Sequence, residues 1–205
     1  MTFHSDKYKI VRNSISVELS KFVSDYLLLK NQVHESLKPQ WYKFPSNFFG
    51  KDGDQMCPNA YTNYGDIATD TLLTTIQPKM EEETGLKLYP TYTYSRIYKT
   101  GAILPKHRDR PSCEISATLN LSGDPWSIYL EPDIEVKLTP GDMLIYSGCD
   151  LEHWREEFKG KDCGQVFLHY NKAGSKMAKE NALDKRPLIG LPAWFKGTKL
   201  TNSTK

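Results

Sequence analysis

The order of hydrophobic patterns along the chain most constrains its fold. Apolar residues recur with helical spacing in two segments of residues 1–85, and short β-branched or aromatic runs bounded by turn formers follow over 86–171. Helices that precede a series of short strands, rather than alternating with them, favour two packed antiparallel sheets over β-α-β units. We therefore expect a mainly β protein of the α+β class, with a jelly-roll (double-stranded β-helix) core that two helices buttress.

Capping residues delimit the two predicted helices. Ser16 is a suitable N-cap for the first, which should end before Lys38-Pro39. Its apolar face should contain Leu19, Phe22, Val23, Tyr26, Leu27 and Val33. The second should run from near Asp66 to Thr84, where Gly85 ends it. The predicted strands are Tyr8–Val11, Tyr92–Tyr98, Glu114–Leu121, Trp126–Leu130, Ile134–Leu138, Asp142–Tyr146 and Gln165–Tyr170.

No repeat or flexible linker divides the chain, so we expect one domain over residues 1–171 with a tail over 172–205. Its N-terminal part, 1–85, would hold the helices, and 86–171 the jelly roll. Residues 39–66 are rich in aromatic and turn-forming residues and predict a long ordered loop. Within it, the aromatic residues of 41–64 would either fill the core or line a substrate groove.

Charge and cysteine spacing narrow the possible classes. With 27 Lys and Arg against 25 Asp and Glu, the net charge of +2 gives no general attraction to nucleic acid or to an anionic membrane. No Cys-x-x-Cys pair is present, which excludes the usual zinc-ribbon and thioredoxin signatures and favours reduced thiols. The charged N-terminus and short apolar runs predict neither a signal peptide nor a membrane span, and we expect a cytoplasmic protein.

The tail differs from the body in charge. Residues 172–205 contain eight basic and two acidic residues, a net of +6 that leaves −4 on the first 171 residues. A solvated tail explains this asymmetry, and an arm that binds phosphate or a partner, including nucleic acid, is the alternative. The apolar residues of 188–195 could dock back onto the body.

The triplet His107-Arg108-Asp109 carries the strongest chemical signal. On an extended segment the side chains of residues i and i+2 share one side, so His107 and Asp109 would meet there while Arg108 points away. His153, after a later predicted strand, would supply a third ligand. Two histidines and one carboxylate on one face of an octahedron leave three positions open, the arrangement of non-haem Fe(II) oxygenases.

The chain resembles the Fe(II)/2-oxoglutarate dioxygenases in these residues and in four further stretches: Tyr94-Ser95-Arg96-Ile97-Tyr98, Gly101, Pro140-Gly141-Asp142-Met143 and residues 151–155. The similarity is to the prolyl-4-hydroxylase-like branch, in particular its compact bacteriophage-encoded members, and covers residues 86–171. It implies a double-stranded β-helix with Fe(II) bound by His107, Asp109 and His153. It also implies that 2-oxoglutarate and O2 are consumed, with release of succinate and CO2, to hydroxylate an unactivated C–H bond. A peptidyl proline would be the acceptor, ascorbate would stimulate turnover, and a viral protein would act in the host cytoplasm.

The distal carboxylate of 2-oxoglutarate needs a cation, because an unpaired buried charge is costly. This chain departs from the family here, since the position at which prolyl hydroxylases usually place Lys or Arg is Cys163. Three basic residues could take the role: Lys161 in the adjoining loop, Arg155 two residues beyond the second histidine, and Arg96. We favour Lys161 and Arg155 jointly.

Three further side chains are assigned from the same pattern. Tyr98 resembles the family tyrosine that reaches the cosubstrate or substrate, with a buried core tyrosine as the alternative. Gln165 would add a neutral hydrogen bond to 2-oxoglutarate. His169 shares its side of the strand with Gln165, and we expect a hydrogen-bonded core histidine rather than a further polar group at the cosubstrate.

Two other functions stay open from the sequence. The basic tail is compatible with an oxygenase of the same type that acts on a modified nucleobase. A non-catalytic jelly-roll binding module, in which His107, Asp109 and His153 are ordinary polar residues or hold a structural metal, is the third possibility. A structural site would normally be closed by a fourth protein ligand, whereas a catalytic one keeps positions open.

Overall fold

Two antiparallel sheets form the body of the protein. The computed structural model describes residues 3–43 and 48–199, with the backbone alone for 41–43. In chain order the strands are β1 (Tyr8–Val11), β2 (Lys51–Asp52), β3 (Ala60–Tyr64), β4 (Leu88–Lys99), β5 (Leu104–His107), β6 (Ile115–Gly123), β7 (Ile128–Leu130), β8 (Ile134–Val136), β9 (Met143–Tyr146), β10 (His153–Arg155) and β11 (Asp162–Lys172). The larger sheet has the order β1-β9-β6-β11-β4-β3-β2, and the smaller has the order β5-β10-β7-β8. This confirms the predicted jelly-roll class.

Alternating residues give the larger sheet two buried faces. On β11, Val166, Leu168 and Tyr170 pack in the cluster that also holds the helices' apolar residues. The residues that alternate with them, including Gln165 and His169, are buried on the opposite side, facing the smaller sheet. The site described below is therefore built between the two sheets.

The helices cover the outer face of the larger sheet. They are α1 (Phe3–Asp6), α2 (Val17–Leu37) and α3 (Ile67–Thr84), and the short α4 (Lys176–Glu180) follows β11. The predicted N-cap of α2 is confirmed, since Ser16 accepts from the Leu19 amide, and Asp66 caps α3 by accepting from the Ala68 amide. Gly85 ends α3 at a φ of +71°, which favours glycine. Among the described residues no helix has the length and apolar character needed to cross a bilayer.

The buried face of α2 differs from the predicted one. Val23 and Leu27 are buried, but Phe22 is 66% exposed. Ser20 lies against the sheet instead, where its hydroxyl donates to the Leu121 carbonyl at 2.9 Å. Small polar residues allow α2 to approach β6 closely, and this turns the predicted apolar face partly toward solvent.

The predicted loop over 39–66 contains two strands. β3 pairs with β4 along its whole length, and the two-residue β2 pairs with β3 at the edge of the sheet. The side chains of Trp41, Tyr42 and Phe44 lie outside the described residues. Tyr61 is buried and Tyr64 half-buried, so the aromatic residues of this region include both core and cavity residues.

The segment 173–199 docks on the body, across the boundary predicted at residue 171. Arg186 is buried and donates to Asp70 Oδ2 at 2.8 Å and to the Thr91 carbonyl at 3.1 Å. Asp184 is also buried, and Lys196 lies 2.5 Å from its carboxylate. Two of the basic residues in the predicted solvated tail are thus paired with carboxylates within the fold.

Candidate metal and cosubstrate site

Neighbouring strands bring the three predicted metal ligands together. His107 ends β5 and His153 begins β10, and the two residues are directly paired in the smaller sheet. Asp109 Oδ1 lies 3.8 Å from His107 Nε2 and 3.6 Å from His153 Nε2. The three ligand atoms lie within 4.8 Å of one another, a spacing that fits a single metal ion between them.

Backbone carbonyls orient both imidazoles. His107 Nδ1 donates to the Pro105 carbonyl at 2.8 Å, and His153 Nδ1 donates to the Leu151 carbonyl at 3.1 Å. A carbonyl can only accept, so each Nδ1 carries the proton and each Nε2 presents a lone pair. Fixing the tautomer through the second ring nitrogen is the usual way in which proteins prepare a histidine for a metal.

Hydrogen bonds from Ser116 and to Gly148 fix the position of Asp109. Ser116 Oγ donates to Oδ2 at 2.8 Å, and the Asp109 amide donates to the Gly148 carbonyl at 2.8 Å. A Cβ on Gly148 would collide with the same carboxylate oxygen and would lie 2.5 Å from the Cys113 carbonyl, so this position needs glycine. Oδ1 is thereby left facing the two imidazoles.

A hydrogen-bonded chain continues from Asp109 into the larger sheet. The single Ser116 hydroxyl proton goes to Asp109, so His169 Nδ1 donates to Ser116 Oγ, at 2.9 Å. Burial lowers the pKa of His169 to about 4, which keeps the ring neutral near pH 7. His169 is therefore a hydrogen-bonded interior histidine, as expected, and it supports a metal ligand through Ser116.

Burial shifts the pKa of His153 and of two groups near the ligand cluster. Desolvation lowers the pKa of His153, and the Asp109 charge only partly opposes this. Burial also raises the pKa of the nearby Tyr146 hydroxyl and Cys113 thiol well above their ordinary values. The lowered pKa of His153 favours its neutral form, which is the form that binds a metal.

Arg155 is a buried cation with unpartnered donors. It follows His153 by two residues on β10 and is 1% exposed. Nη1 donates to the Trp126 carbonyl at 2.7 Å, and the guanidinium lies 4.9 Å from the Trp126 ring centroid. Nε and Nη2 have no hydrogen-bond partner among the described residues. A buried guanidinium with two such donors fits an incoming carboxylate.

The other predicted cosubstrate residues lie in different surroundings. Tyr98 is fully buried on β4, and its hydroxyl accepts from Arg96 Nη1 at 3.2 Å. Gln165 accepts from the Thr118 hydroxyl at 3.1 Å on the same inner face. Burial raises the pKa of Tyr98, and the positive charges of Arg96 and Arg155 oppose this rise.

The structure does not bring Lys161 to this group. Its side chain is exposed in the β10–β11 loop, and its backbone amide donates to Asp124 at 2.7 Å. Arg96, the third candidate cation, is paired with Asp54 at 2.7 Å. Arg155 is thus the one candidate among the three that is buried and lacks an acidic partner among the described residues.

A cavity of about 470 Å³ opens in front of the metal ligands. Its wall contains His107, Asp109 and His153 on one side and an aromatic group on the other, formed by Tyr64, Tyr92, Tyr94 and Phe167. Arg110 and Lys196, which share the Asp184 carboxylate, reach its rim. This volume is in the range of ligand-binding pockets.

Comparison with known proteins identifies the fold. No protein-family model matches the sequence, and no curated protein matches it. Among solved structures, a Pseudomonas putida prolyl-4-hydroxylase is 14% identical with a TM-score of 0.62, over 84% of this chain and 96% of that chain. The chain has the fold of the Fe(II)/2-oxoglutarate oxygenases.

Two further oxygenase-fold structures extend the comparison. The viral collagen prolyl hydroxylase of Paramecium Bursaria Chlorella virus-1, in complex with 2-oxoglutarate, is 9% identical with a TM-score of 0.57, over 83% of this chain and 98% of that chain. The α-ketoglutarate-dependent epimerase SnoN from nogalamycin biosynthesis is 13% identical with a TM-score of 0.63, over 98% and 93% of the two chains. Because these proteins catalyse different reactions, the likeness supports the oxygenase fold without fixing the acceptor.

Sequence reasoning missed the groups that support the ligands. Ser116 sits within a predicted strand, and its position opposite Asp109 depends on how two sheets meet. Gly148 follows a strand like many turn glycines, and the need for glycine there becomes evident only beside Asp109. The alternation of polar residues on β6 and β11 was the available signal, because buried polar residues on one face of a core strand are uncommon.

Proposed function

We propose that the protein is an Fe(II)- and 2-oxoglutarate-dependent dioxygenase that hydroxylates an unactivated C–H bond. The observation that carries the proposal is that strand β10 carries both a member of the converging ligand set and a buried cation without an acidic partner among the described residues. Three ligand atoms converge from His107, Asp109 and His153, and the unpartnered guanidinium of Arg155 lies on the strand that begins with His153. The first fits Fe(II), and the second fits the distal carboxylate of 2-oxoglutarate.

The bound cofactors would supply the oxidising chemistry: 2-oxoglutarate and O2 give succinate and CO2, and the second oxygen atom enters the substrate C–H bond as a hydroxyl. The residues of the chain would hold and orient the metal ion and the cosubstrate. His107 and His153 present fixed lone pairs, and Asp109 contributes one negative charge. Arg155 offsets the cosubstrate's distal charge, with the Tyr98 hydroxyl and Gln165 amide as neutral hydrogen-bonding groups.

The buried surroundings protect the reactive site from water. Ile128 and Tyr146 line the inner part of the cavity, and Trp126 covers Arg155. A dry site strengthens the pairing between the guanidinium and a carboxylate, because little solvent screens it.

A peptidyl proline is the proposed acceptor. The resemblance of the His107-Arg108-Asp109 region to the prolyl-4-hydroxylase-like branch supports it, and two of the structural neighbours are prolyl hydroxylases. A nucleobase acceptor loses its main support, because Arg186 and Lys196 of the C-terminal segment pair with Asp70 and Asp184.

The test is the conversion of 2-oxoglutarate by purified protein with Fe(II), ascorbate and O2. We expect slow succinate formation without an acceptor, and faster formation with a proline-containing peptide that gains one oxygen atom by mass spectrometry. His107→Ala is the control and should form no succinate. If the wild-type protein forms none, the oxygenase proposal is wrong.

A further inference from the structure

Two further cavities lie beside the cavity at the metal ligands. A second cavity of about 460 Å³ adjoins it and shares Tyr64 and Tyr94 in its wall. A third, of about 400 Å³, adjoins the second and shares Tyr64, Pro192 and Trp194. The three cavities therefore lie next to one another, from the metal ligands to a pocket between α2 and the docked C-terminal segment, and we call this row of cavities the groove.

Tyr64 stands at the junction of all three cavities and is firmly held. Its hydroxyl donates to Asp184 at 2.5 Å, and its ring stacks on Tyr92 with centroids 4.9 Å apart. Lys196 Nζ lies 4.6 Å from the centroid of the Tyr64 ring. A fixed side chain at this point gives the groove a defined floor before any ligand binds, which lowers the cost of ordering it.

The pocket farthest from the metal ligands, here called the distal pocket, is apolar with one buried donor. Phe48 and Trp194 line it with their rings 6.2 Å apart, and both are about half exposed. Asn63 on β3 also lines it and is 5% exposed. Its Nδ2 has no hydrogen-bond partner among the described residues, so the pocket offers a buried amide donor beside two aromatic rings.

We propose that this groove binds an extended peptide, whose reacting residue lies at the metal ligands and whose apolar side chain, some residues away, enters the distal pocket. Asn63 Nδ2 would donate to a carbonyl of the bound peptide. The inference rests on the proposed function for the position of the reacting residue. It goes further by assigning a second subsite that selects peptides by a residue outside the reaction centre.

The chemistry of the groove favours a peptide over a nucleic acid. Charged side chains in the walls of the two outer cavities are the Lys30–Asp66 ion pair and Lys51. The basic residues at the metal-ligand end are paired with carboxylates, Arg96 with Asp54, Arg108 with Glu131, and Arg110 and Lys196 with Asp184. This is too little positive charge to neutralise a run of phosphates, which nucleic-acid grooves require. An aromatic pocket with a single amide donor instead matches an apolar side chain next to a backbone carbonyl.

The test selects binders from a display library of linear dodecapeptides with a central proline, using protein loaded with Ni(II) and 2-oxoglutarate. We expect selected peptides to share an aromatic or large aliphatic residue at a fixed distance from the proline. Trp194→Ala should weaken their binding at least tenfold by fluorescence anisotropy, and Asn63→Leu several-fold. Both variants should weaken binding less than twofold for a peptide truncated before the shared residue.

Phe22→Ala is the matched control, since Phe22 is an exposed aromatic residue outside the groove walls, and it should change neither affinity by more than twofold. The proposal is overturned if no peptide is selected, if selected peptides share no residue beyond the proline, or if Trp194→Ala weakens long and truncated peptides equally. Tighter binding of an oligothymidylate of the same length would also overturn it. Because selection requires no turnover, succinate formation by the wild-type protein separately decides whether the oxygenase proposal stands.

Discussion

The two faces of the larger sheet are equally buried and differ in composition. Toward the helices, strands β6, β9 and β11 present aliphatic residues such as Leu119, Ile145 and Leu168. Toward the smaller sheet, β6 and β11 present Ser116, Thr118, Gln165 and His169, at 5% exposure or less. Successive residues of one strand therefore belong to two different environments.

The outer face therefore contributes mainly to stability, and the inner face mainly to the candidate site. The outer face buries apolar area, which is the main favourable term in folding. The inner face buries polar groups, which are tolerated because they bond to one another, as in the chain from His169 through Ser116 to Asp109. We expect substitutions on the outer face to change the free energy of unfolding, and substitutions facing the inner space to change ligand binding.

The largest functional effect is expected for Asp109→Ala. This change removes the charged member of the ligand set and should reduce succinate formation below detection. The side chain lies at the end of the inner space and is not part of the apolar clusters, so the melting temperature of the metal-free protein should change little. Activity and thermal unfolding measured on one preparation check both parts, and unfolding of the variant at room temperature would contradict the separation.

Arg155→Met tests the cosubstrate anchor. Loss of the guanidinium should weaken 2-oxoglutarate binding by roughly 100-fold or more, since breaking a buried ion pair costs about 3 kcal/mol or more. The metal-free variant should be at least as stable as the wild type, because a buried charge without an acidic partner is removed. Calorimetric titration of 2-oxoglutarate measures the first effect and thermal unfolding the second.

Lys161→Met is the matched control for that experiment, since it removes an exposed cation from the neighbouring loop. Its affinity for 2-oxoglutarate should stay within twofold of the wild-type value. If the control loses affinity while Arg155→Met keeps it, the assignment of the anchor must be reversed.

Leu168→Ala tests the outer face of the same strand. Leu168 is fully buried, and truncation of such a side chain costs about 2–5 kcal/mol in the free energy of unfolding. Metal affinity of the folded variant should remain within threefold of the wild-type value. Urea unfolding measures the free energy of unfolding, and metal titration measures the metal affinity. A metal affinity lowered in proportion to stability would contradict the proposed difference between the two faces.

A smaller, pH-dependent effect is expected from His169. Its pKa is about 4 in the folded protein against 6.5 ordinarily, so between these values the unfolded chain binds the extra proton. The contribution of His169 to the free energy of unfolding is therefore fully present above pH 6.5 and is lost as pH falls toward 4. We expect His169→Gln to reduce the fall in unfolding free energy between pH 7.5 and 5.0 by about 2 kcal/mol in metal-free protein. Equal slopes for both proteins would contradict the assigned burial of this ring.

Local patterns made the helices and the metal ligands predictable. The caps at Ser16 and Asp66 act within a few residues, and the two-residue spacing of His107 and Asp109 determines which side they share on an extended segment. Local spacing alone does not place His153, because its pairing with His107 depends on the path of the chain through β6 to β9.

Long-range packing decided what the sequence could not show. β3 lies in a turn-rich region and becomes a strand because β4 offers it a pairing edge. Lys161 and Arg155 looked equivalent as cations, and only the fold shows one exposed in a loop and the other buried between the sheets. The C-terminal segment was expected to be solvated, but its buried Arg186 and Asp184 pair with residues far away in the chain.

The most direct test of the account is anaerobic equilibrium dialysis of Fe(II) against the wild-type protein and His153→Ala, with 2-oxoglutarate present. The account predicts one Fe(II) per wild-type chain and loss of that binding in the variant, with the variant still folded by circular dichroism. Equal Fe(II) binding by the two proteins would contradict a metal site formed by His107, Asp109 and His153.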